Sequence, residues 1–227
     1  MAKAAKEECK KIMKSNEDCK KTVEEFKKYL MRNSVKDLVC NTTKILLICE
    51  SPHTDELDNK RPLVGSAGKS ALNYLISGET NGVGLGDYLA SQEHPTIGIM
   101  NVCQAPLQKT DSDQQTCFDF SKTKSIRNGH KHLCNHMDTT IIEMEKIILV
   151  DFKKRLKKYA ENKCLEIIIP CGRFAESYFN SVNDELKLKQ EFSVSLPHPA
   201  RNGWANPKDN QKDLLEKLKR EIRRKTT

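Results

Sequence analysis

The sequence lacks the features that mark membrane and secreted proteins. It has no apolar run near the roughly 20 residues that a helix needs to cross a bilayer, and no apolar signal-peptide core near its start. Its nine cysteines are odd in number and irregularly spaced. Cys49 and Cys171 fall in apolar runs, where a thiol packs as a small hydrophobic group. We therefore expect a soluble cytoplasmic protein, in a reducing intracellular compartment and without a membrane partner.

Hydrophobic and aromatic residues are also scarce, at 37% and 6% of the 227 residues. This content is enough for one core, so we expect a single globular domain and a monomer. Residues 1–36 carry Lys and Glu at helical spacing without Pro or Gly, and they predict a basic helical N-terminal extension. Residues 37–227 then form one α/β domain with a basic C-terminal helix.

The net charge of +8 is concentrated at the two ends of the chain. Residues 1–36 hold eleven Lys and Arg against six acidic residues, and residues 207–227 hold eight against four. Such an excess favours a polyanionic partner. The alternative interpretation is that both ends are solvated helix faces without a ligand.

Short apolar runs predict four buried strands, at residues 44–50, 96–102, 165–171 and 192–196. Helical patterns follow them, at residues 68–77, 137–160, 174–182 and 207–224. This alternation predicts a three-layer α/β/α sandwich with a short, mostly parallel, four-stranded sheet. Residues 103–136 show no such pattern and predict a long irregular insertion.

Two motifs suggest ligands but lack the expected spacing. Residues 65–70, GSAGKS, resemble a phosphate-binding loop, but Leu63 stands where that loop needs its first Gly. Residues 130–136 contain His130, His132, Cys134 and His136, a spacing that matches no common zinc site. We expect no nucleoside triphosphate at the first motif and a solvated loop at the second, with a zinc site as the alternative.

Polar side chains follow the predicted strands, at the sheet edge where parallel sheets bind ligands. The first strand is followed by Glu50, Ser51, His53, Asp55 and Glu56. Asn101 lies at the end of the second strand. His198 follows the fourth strand, and Pro197 and Pro199 stiffen the backbone on either side of it. These residues predict one shared site, although a lone His is more often structural than catalytic.

Five short motifs occur in a fixed order between residues 44 and 204. Residues 49–56 read CESPHTDE, 62–69 PLVGSAGK, 100–102 MNV, 171–175 CGRFA and 198–200 HPA. This order resembles the uracil-DNA glycosylase superfamily, most closely the branch that carries G-E-A-P-G-x-x-E, P-F-V-G-x-A-G-K, T-N-V, L-G-x-x-A and H-P-[SA]. The resemblance implies the α/β fold of that superfamily.

The resemblance also implies hydrolysis of the N-glycosidic bond that joins uracil or a related damaged base to DNA, as in base excision repair. Such an enzyme extrudes the nucleotide from the stack and holds the DNA backbone with positive charge. Asn101 would read the base, and His198 would stabilise charge on the departing base. Glu50 or Glu56 would orient water or offset the positive charge on the sugar.

Two sets of contacts follow from the same resemblance. The substrate pocket would be formed by Ser51, Pro52, His53, Leu63, Gly65 and Asn101. The DNA strand would be bound by Ser66, Lys69, Pro199, Arg201, Asn202 and Trp204. For Trp204 the alternative is a packed anchor of its loop, because a Trp side chain suits both purposes.

Three positions depart from the pattern of the branch. Ser51 stands where the most active members have a catalytic Asp, His53 where some members carry a Tyr, and Leu63 where a Phe stacks on uracil. The branch often binds a four-cysteine iron–sulfur cluster. Because Cys9 and Cys19 are ten residues apart, we expect no cluster and no other cofactor.

Two other functions are compatible with these residues. The chain could be a non-catalytic nucleic-acid-binding module on the same fold, or a hydrolase of small modified nucleosides or nucleotides. A binding module would retain DNA and release no base. A small-molecule hydrolase would act on free nucleotides without DNA.

Overall fold

The computed structural model describes residues 2–78, 80–110, 119–129, 138–189 and 194–223. The strands in this part of the chain are β1, Ile45–Cys49; β2, Ile97–Asn101; and β3, Ile167–Pro170. Its helices are α1, Ala2–Arg32; α2, Thr54–Asn59; α3, Ser66–Ile76; α4, Leu85–Ala90; α5, Phe120–Gly129; α6, Thr139–Ala160; α7, Arg173–Leu186; and α8, Asp209–Arg223. None of these helices is long and apolar enough to cross a membrane.

The strands form a parallel sheet in the order β2-β1-β3, with β1 in the middle. Every residue of the three strands is buried, which explains their largely apolar sequences. Ile48 lies opposite Met100 and Pro170, and Cys49 lies opposite Asn101. All three strands therefore end at the same edge of the sheet.

Helices cover both faces of the sheet, which gives three layers. Leu46 and Ile48 of β1 pack in a core with residues of α1, α6 and α7. Ile45 and Leu47 pack in a second core with residues of α3, α4 and α8. Alternate residues of a strand point to opposite faces, so one strand contributes to both cores. The predicted α/β class is confirmed.

The second half of α1 belongs to the first of these cores. Phe26 is fully buried and Tyr29 is 4% exposed. The Tyr29 hydroxyl donates to the carbonyl of Pro106 at 3.0 Å. The helix that the sequence predicts as an extension therefore contributes packed side chains to the domain.

The structure differs from the predicted arrangement in two places. The described residues form a sheet of three strands, and the only described residue of the predicted fourth strand that pairs is Leu196, in an isolated parallel bridge with Cys171. Residues 190–193 lie outside the described residues, as does the His-rich motif at 130–136. The segment predicted as an irregular insertion contains the ten-residue helix α5.

A buried carboxyl group predicts how stability depends on pH. Glu145 of α6 is 1% exposed, and burial raises the pKa of its carboxyl group from 4.5 to about 7. The folded state therefore holds this proton more tightly than the unfolded state does. The free energy of unfolding should fall as pH rises from 4.5 to about 7, and this contribution should then stay level.

We expect the free energy of unfolding of the parent protein to fall by on the order of 2 kcal/mol between pH 4.5 and pH 7.5 because of Glu145. Glu145→Gln should lack this fall, because the amide does not ionise. Urea unfolding at the two pH values measures the difference from the parent protein. Glu143→Gln is the matched control, since Glu143 lies on the same helix with a side chain that is 50% exposed. An identical pH dependence in Glu145→Gln and the parent would contradict the expectation.

Candidate functional site

A cavity of about 510 Å³ opens at the edge of the sheet where the strands end. Its walls come from the segment after β1, the end of β2, helix α5 and the loop after Leu196. The residues predicted for the site that line this cavity are Glu50, Ser51, His53, Asp55, Glu56, Leu63, Gly65, Ser66, Asn101, His198 and Arg201. The volume falls in the range of small-molecule sites and is large enough for a nucleoside.

Glu50, the first residue after β1, forms an ion pair with Arg127 of α5. The Arg127 Nε–H donates to Glu50 Oε1. Both side chains are partly buried, with exposures of 33% for Arg127 and 23% for Glu50. The two opposite charges lie side by side in the cavity wall, so each compensates the other.

Arg127 is a site residue that the sequence does not predict, since it lies in the supposed irregular insertion. Its helix carries two recognisable signals. Asp119 precedes the helix, and its carboxylate accepts a hydrogen bond from the Ser121 N–H at 2.9 Å. Gly129 ends the helix. These signals could have identified the helix, but no local pattern indicates that Arg127 reaches Glu50.

His198 presents a neutral imidazole to the cavity. Its Nδ1 accepts a hydrogen bond from the Ala200 N–H at 3.2 Å, which leaves Nε2 as the protonated nitrogen of the neutral ring. The ring is accessible from the cavity, but the surrounding protein lowers the pKa of His198 by desolvation. Glu50 raises this pKa and Arg127 lowers it, and the net shift is downward. At pH 7 the ring is therefore uncharged, and its Nε2–H is a hydrogen-bond donor.

The position of His198 depends on Gly172, the residue before α7. Gly172 has a φ of +90°, which residues with a side chain rarely adopt. A Cβ at this position would lie 3.2 Å from the Cβ of His198. The Gly172 N–H donates to the Leu196 carbonyl at 2.8 Å. Glycine therefore allows the loop that carries His198 to pack directly on the end of β3.

Glu56 is bound by the backbone at the start of α2. The His53 N–H donates to Glu56 Oε2, an interaction typical of a helix N-terminus. Burial raises the pKa of Glu56, and hydrogen bonds from the backbone of His53 and Leu63 partly oppose the rise. Of the two carboxylates predicted to act in catalysis, Glu50 therefore interacts with His198, whereas Glu56 holds its own loop.

The cavity wall near Leu63 is a tight turn. Leu63 is buried with a φ of +52°, and its carbonyl accepts a hydrogen bond from the Gly86 N–H at 2.9 Å. A Cβ at Gly68 would lie 1.7 Å from the Leu63 carbonyl oxygen, so only glycine fits there. Gly68 of the GSAGKS motif therefore allows the close approach of this turn to α3.

Polar and basic groups form the rim of the cavity. Ser66 and Lys69 are exposed on the first turn of α3, and Arg201 is exposed where it lines the cavity. Asn202 Oδ1 accepts a hydrogen bond from the Ser70 hydroxyl at 3.1 Å, which ties the loop after His198 to α3. Arg201 thus brings a positive charge to the cavity lining, and its segment is joined to α3, on which Lys69 is exposed.

Trp204 packs inside the protein. It is 1% exposed, its Nε1–H donates to the Pro197 carbonyl at 2.9 Å, and its ring meets that of Tyr74 edge-on. Pro52 and Pro199 are buried as well. These contacts favour the anchoring role of Trp204 over a direct contact with DNA.

Comparison with known proteins does not identify a family. Neither family models nor curated proteins give a match for this chain. Within the ranges that the structure describes, no three His, Cys, Asp or Glu side chains are grouped so that they could hold a metal ion. The function is therefore inferred from the cavity and from the groups that line it.

The contact between Gly172 and His198 gives a prediction about stability and ring position. Gly172→Ala should destabilise the protein by about 1–3 kcal/mol, because the alanine must adopt a positive φ and press on His198. Denaturant unfolding measures the loss. The NMR signals of the His198 ring should shift in the same variant.

Gly78→Ala is the control for this substitution. A Cβ at Gly78 meets nothing within 4 Å, and its φ is not in the left-handed region. We expect a change within about 0.5 kcal/mol for the control. If both variants are equally stable and the His198 signals stay in place, Gly172 does not position the ring.

Proposed function

We propose that this protein is a DNA glycosylase-like hydrolase that removes uracil or a related damaged base from DNA, as in base excision repair. The observation that carries the proposal is the presence of Asn101, His198 and Glu50 around one cavity. These residues come from separate segments that meet at the edge of the sheet. They supply an amide for base recognition, a neutral donor for the leaving base and a carboxylate for the sugar.

Asn101 reads the base in this proposal. Its amide carries one acceptor and two donors. Uracil presents an N–H donor beside a carbonyl acceptor on its Watson–Crick edge, whereas cytosine presents an acceptor beside an amino donor. Asn101 is 4% exposed, so a mismatched contact would leave polar groups unpaired away from water, which is costly.

His198 stabilises the departing base. When the bond between C1′ and N1 breaks, its electron pair stays with the base, and negative charge develops on the uracil O2. A hydrogen bond from the neutral Nε2–H to O2 strengthens as that charge grows, so it lowers the barrier more than it tightens ground-state binding. The positive charge of Arg127 near His198 acts in the same direction.

Glu50 acts on the other fragment of the bond. The sugar takes on oxocarbenium character as the base leaves, and a carboxylate nearby offsets its positive charge. Water then adds to C1′, and the proton that it loses passes to the departing base anion, so the products are a free base and an abasic sugar. The ion pair with Arg127 holds the Glu50 carboxylate in place during these steps.

The basic rim supports DNA as the substrate. A base can enter the cavity only after it leaves the stack, and the flanking phosphates must then be held near the mouth. Arg201 is exposed in the cavity lining, Lys69 is exposed on α3, and the hydrogen bond between Ser70 and Asn202 joins their two segments. Such charges bind phosphates without regard to sequence.

A multi-base excision assay tests the proposal. Single- and double-stranded oligonucleotides that contain uracil, hypoxanthine or xanthine are incubated with the protein, and abasic sites are detected by alkaline strand cleavage. We expect product from at least one base and none from undamaged DNA. Free deoxyuridine and deoxyuridine monophosphate are tested in parallel.

Each of the other outcomes assigns a different function. If the protein binds the oligonucleotides but forms no abasic product, it is a non-catalytic nucleic-acid-binding module. Turnover of the free nucleoside or nucleotide without turnover of DNA would identify a small-molecule hydrolase. Both results would overturn the glycosylase proposal.

His198→Ala tests the proposed role of the imidazole. We expect kcat for base excision to fall about 100- to 1000-fold, as for the loss of one donor to a developing negative charge, while the DNA dissociation constant changes little. Single-turnover excision and fluorescence anisotropy measure the two quantities. The matched control is His94→Ala, since His94 is 66% exposed and does not line the cavity. Equal rates in the two variants would remove His198 from the mechanism.

A further inference from the structure

Behind the cavity, Arg155 of α6 forms a buried ion pair with Asp37. Arg155 Nη1 lies 2.8 Å from Asp37 Oδ2, and the side chains of Arg155 and Asp37 are 12% and 1% exposed. The Tyr159 hydroxyl donates to the same Asp37 oxygen at 3.0 Å, and the Arg155 Nε–H donates to Asp151 at 2.7 Å. The group is thus buried, charged and hydrogen-bonded on several sides.

The pKa shifts of Arg155 and Tyr159 indicate which of their protons are retained. Burial by itself would lower the pKa of Arg155, but the carboxylates of Asp37 and Asp151 raise it above its ordinary value. Burial and the adjacent Asp37 also raise the pKa of Tyr159, so its hydroxyl keeps its proton. Arg155 therefore stays charged and Tyr159 stays protonated at neutral pH, so both act as donors to Asp37.

The same two charged side chains hold the backbone of Asn101. Arg155 donates to the carbonyl oxygens of Asn101 and Val102, at 2.9 and 2.8 Å. The Asn101 N–H donates to Asp37 Oδ1 at 3.3 Å. Both backbone polar groups of Asn101 are therefore bound by a buried ion pair.

The position of β2 in the sheet explains why this support is needed. β2 pairs with β1 on one side, and its other side is an edge of the sheet. The Leu38 N–H and carbonyl pair with Ile99 on that edge, and Asp37 continues the contact to Asn101. Without Asp37 and Arg155, the last residue of the strand would have unpaired backbone groups in a buried place, which is costly.

We infer that Arg155 is a positioning residue that holds Asn101 against the base and thereby sets which base is accepted. The inference rests on the proposed function. Arg155 does not line the cavity itself, so it acts through the backbone of Asn101. A side chain that reads a base must be held within about 0.5 Å of its productive place, and a doubly bound backbone provides this. The planar guanidinium reaches four acceptors in fixed directions, which a Lys ammonium does not reproduce.

Arg155→Lys is the variant that tests the inference. It keeps the charge beside Asp37 but loses the fork that binds both carbonyls. We expect the ratio of kcat/KM for uracil over cytosine in DNA to fall at least about tenfold, which corresponds to the loss of roughly one hydrogen bond. Tyr159→Phe removes one bond to Asp37 and should lower the ratio less. It also provides a folded variant if Arg155→Lys is unstable.

Ile148→Val is the matched control. Ile148 lies on the same helix, is 2% exposed and packs in the core, so its substitution destabilises the protein without touching the ion pair. All rates are measured well below the melting temperature of each variant. The control should change the kcat/KM ratio by less than a factor of two. A parallel fall in the control would mean that Arg155 contributes stability alone.

A second readout does not depend on activity. The side-chain amide signals of Asn101 in an NMR spectrum are assigned from their loss in Asn101→Ala, and we expect them to shift in Arg155→Lys and to stay in place in Ile148→Val. If the parent protein excises no base, the proposed function fails, and the amide signals alone decide whether Arg155 positions Asn101. Unchanged amide signals together with an unchanged ratio in folded Arg155→Lys would overturn the inference.

Discussion

The parallel pairing of β1 with both of its neighbours is the constraint on which the site depends. This register aligns the ends of three strands at one edge of the sheet. Glu50 follows β1, Asn101 is the last residue of β2, and Gly172 lies shortly after β3. The strands are buried over their full length and leave no room for polar chemistry inside the sheet. Apolar strand residues fill the two cores, so the polar groups lie at the strand ends. The cavity opens at this edge of the sheet.

Two ion pairs lie in and behind the cavity wall, and the one in the wall bears on the state of His198. Glu50 is paired with Arg127 in the wall, and Asp37 is paired with Arg155 behind Asn101. Because the charges next to His198 act in opposite directions on its pKa, desolvation decides the shift, and the ring stays neutral. An unpaired Glu50 would instead favour the imidazolium. The ion pair between Glu50 and Arg127 thus keeps a carboxylate in the cavity wall beside a His198 ring that stays neutral.

The parts of the fold that could be predicted from the sequence are those with a local physical signal. Apolar runs mark β1, β2 and β3, and the parallel order of strands and helices brings Asn101 and His198 to one edge. Arg127 could not be placed in this way, because a contact between α5 and Glu50 leaves no periodic pattern in the sequence. The same holds for Arg155, whose partners Asp37 and Asn101 are distant along the chain. Trp204 illustrates a third case, since its chemistry suits two roles and only its burial distinguishes them.

The departures from the glycosylase pattern are easier to understand with the structure. The Ser51 hydroxyl accepts a hydrogen bond from the Leu107 N–H at 3.4 Å, so it holds a loop where a catalytic carboxylate would activate water. Leu63 fills the cavity wall without an aromatic face, and His53 is exposed at the rim. Under the proposed function, these departures affect water activation and stacking, whereas Asn101 and His198 act on the base itself. In a reaction with an oxocarbenium-like transition state, bond breaking runs ahead of attack by water, so stabilisation of the leaving base contributes most to the rate. Under the proposed function, this site therefore retains the part of the mechanism that matters more for breaking the bond, and Glu50 contributes by offsetting the positive charge on the sugar.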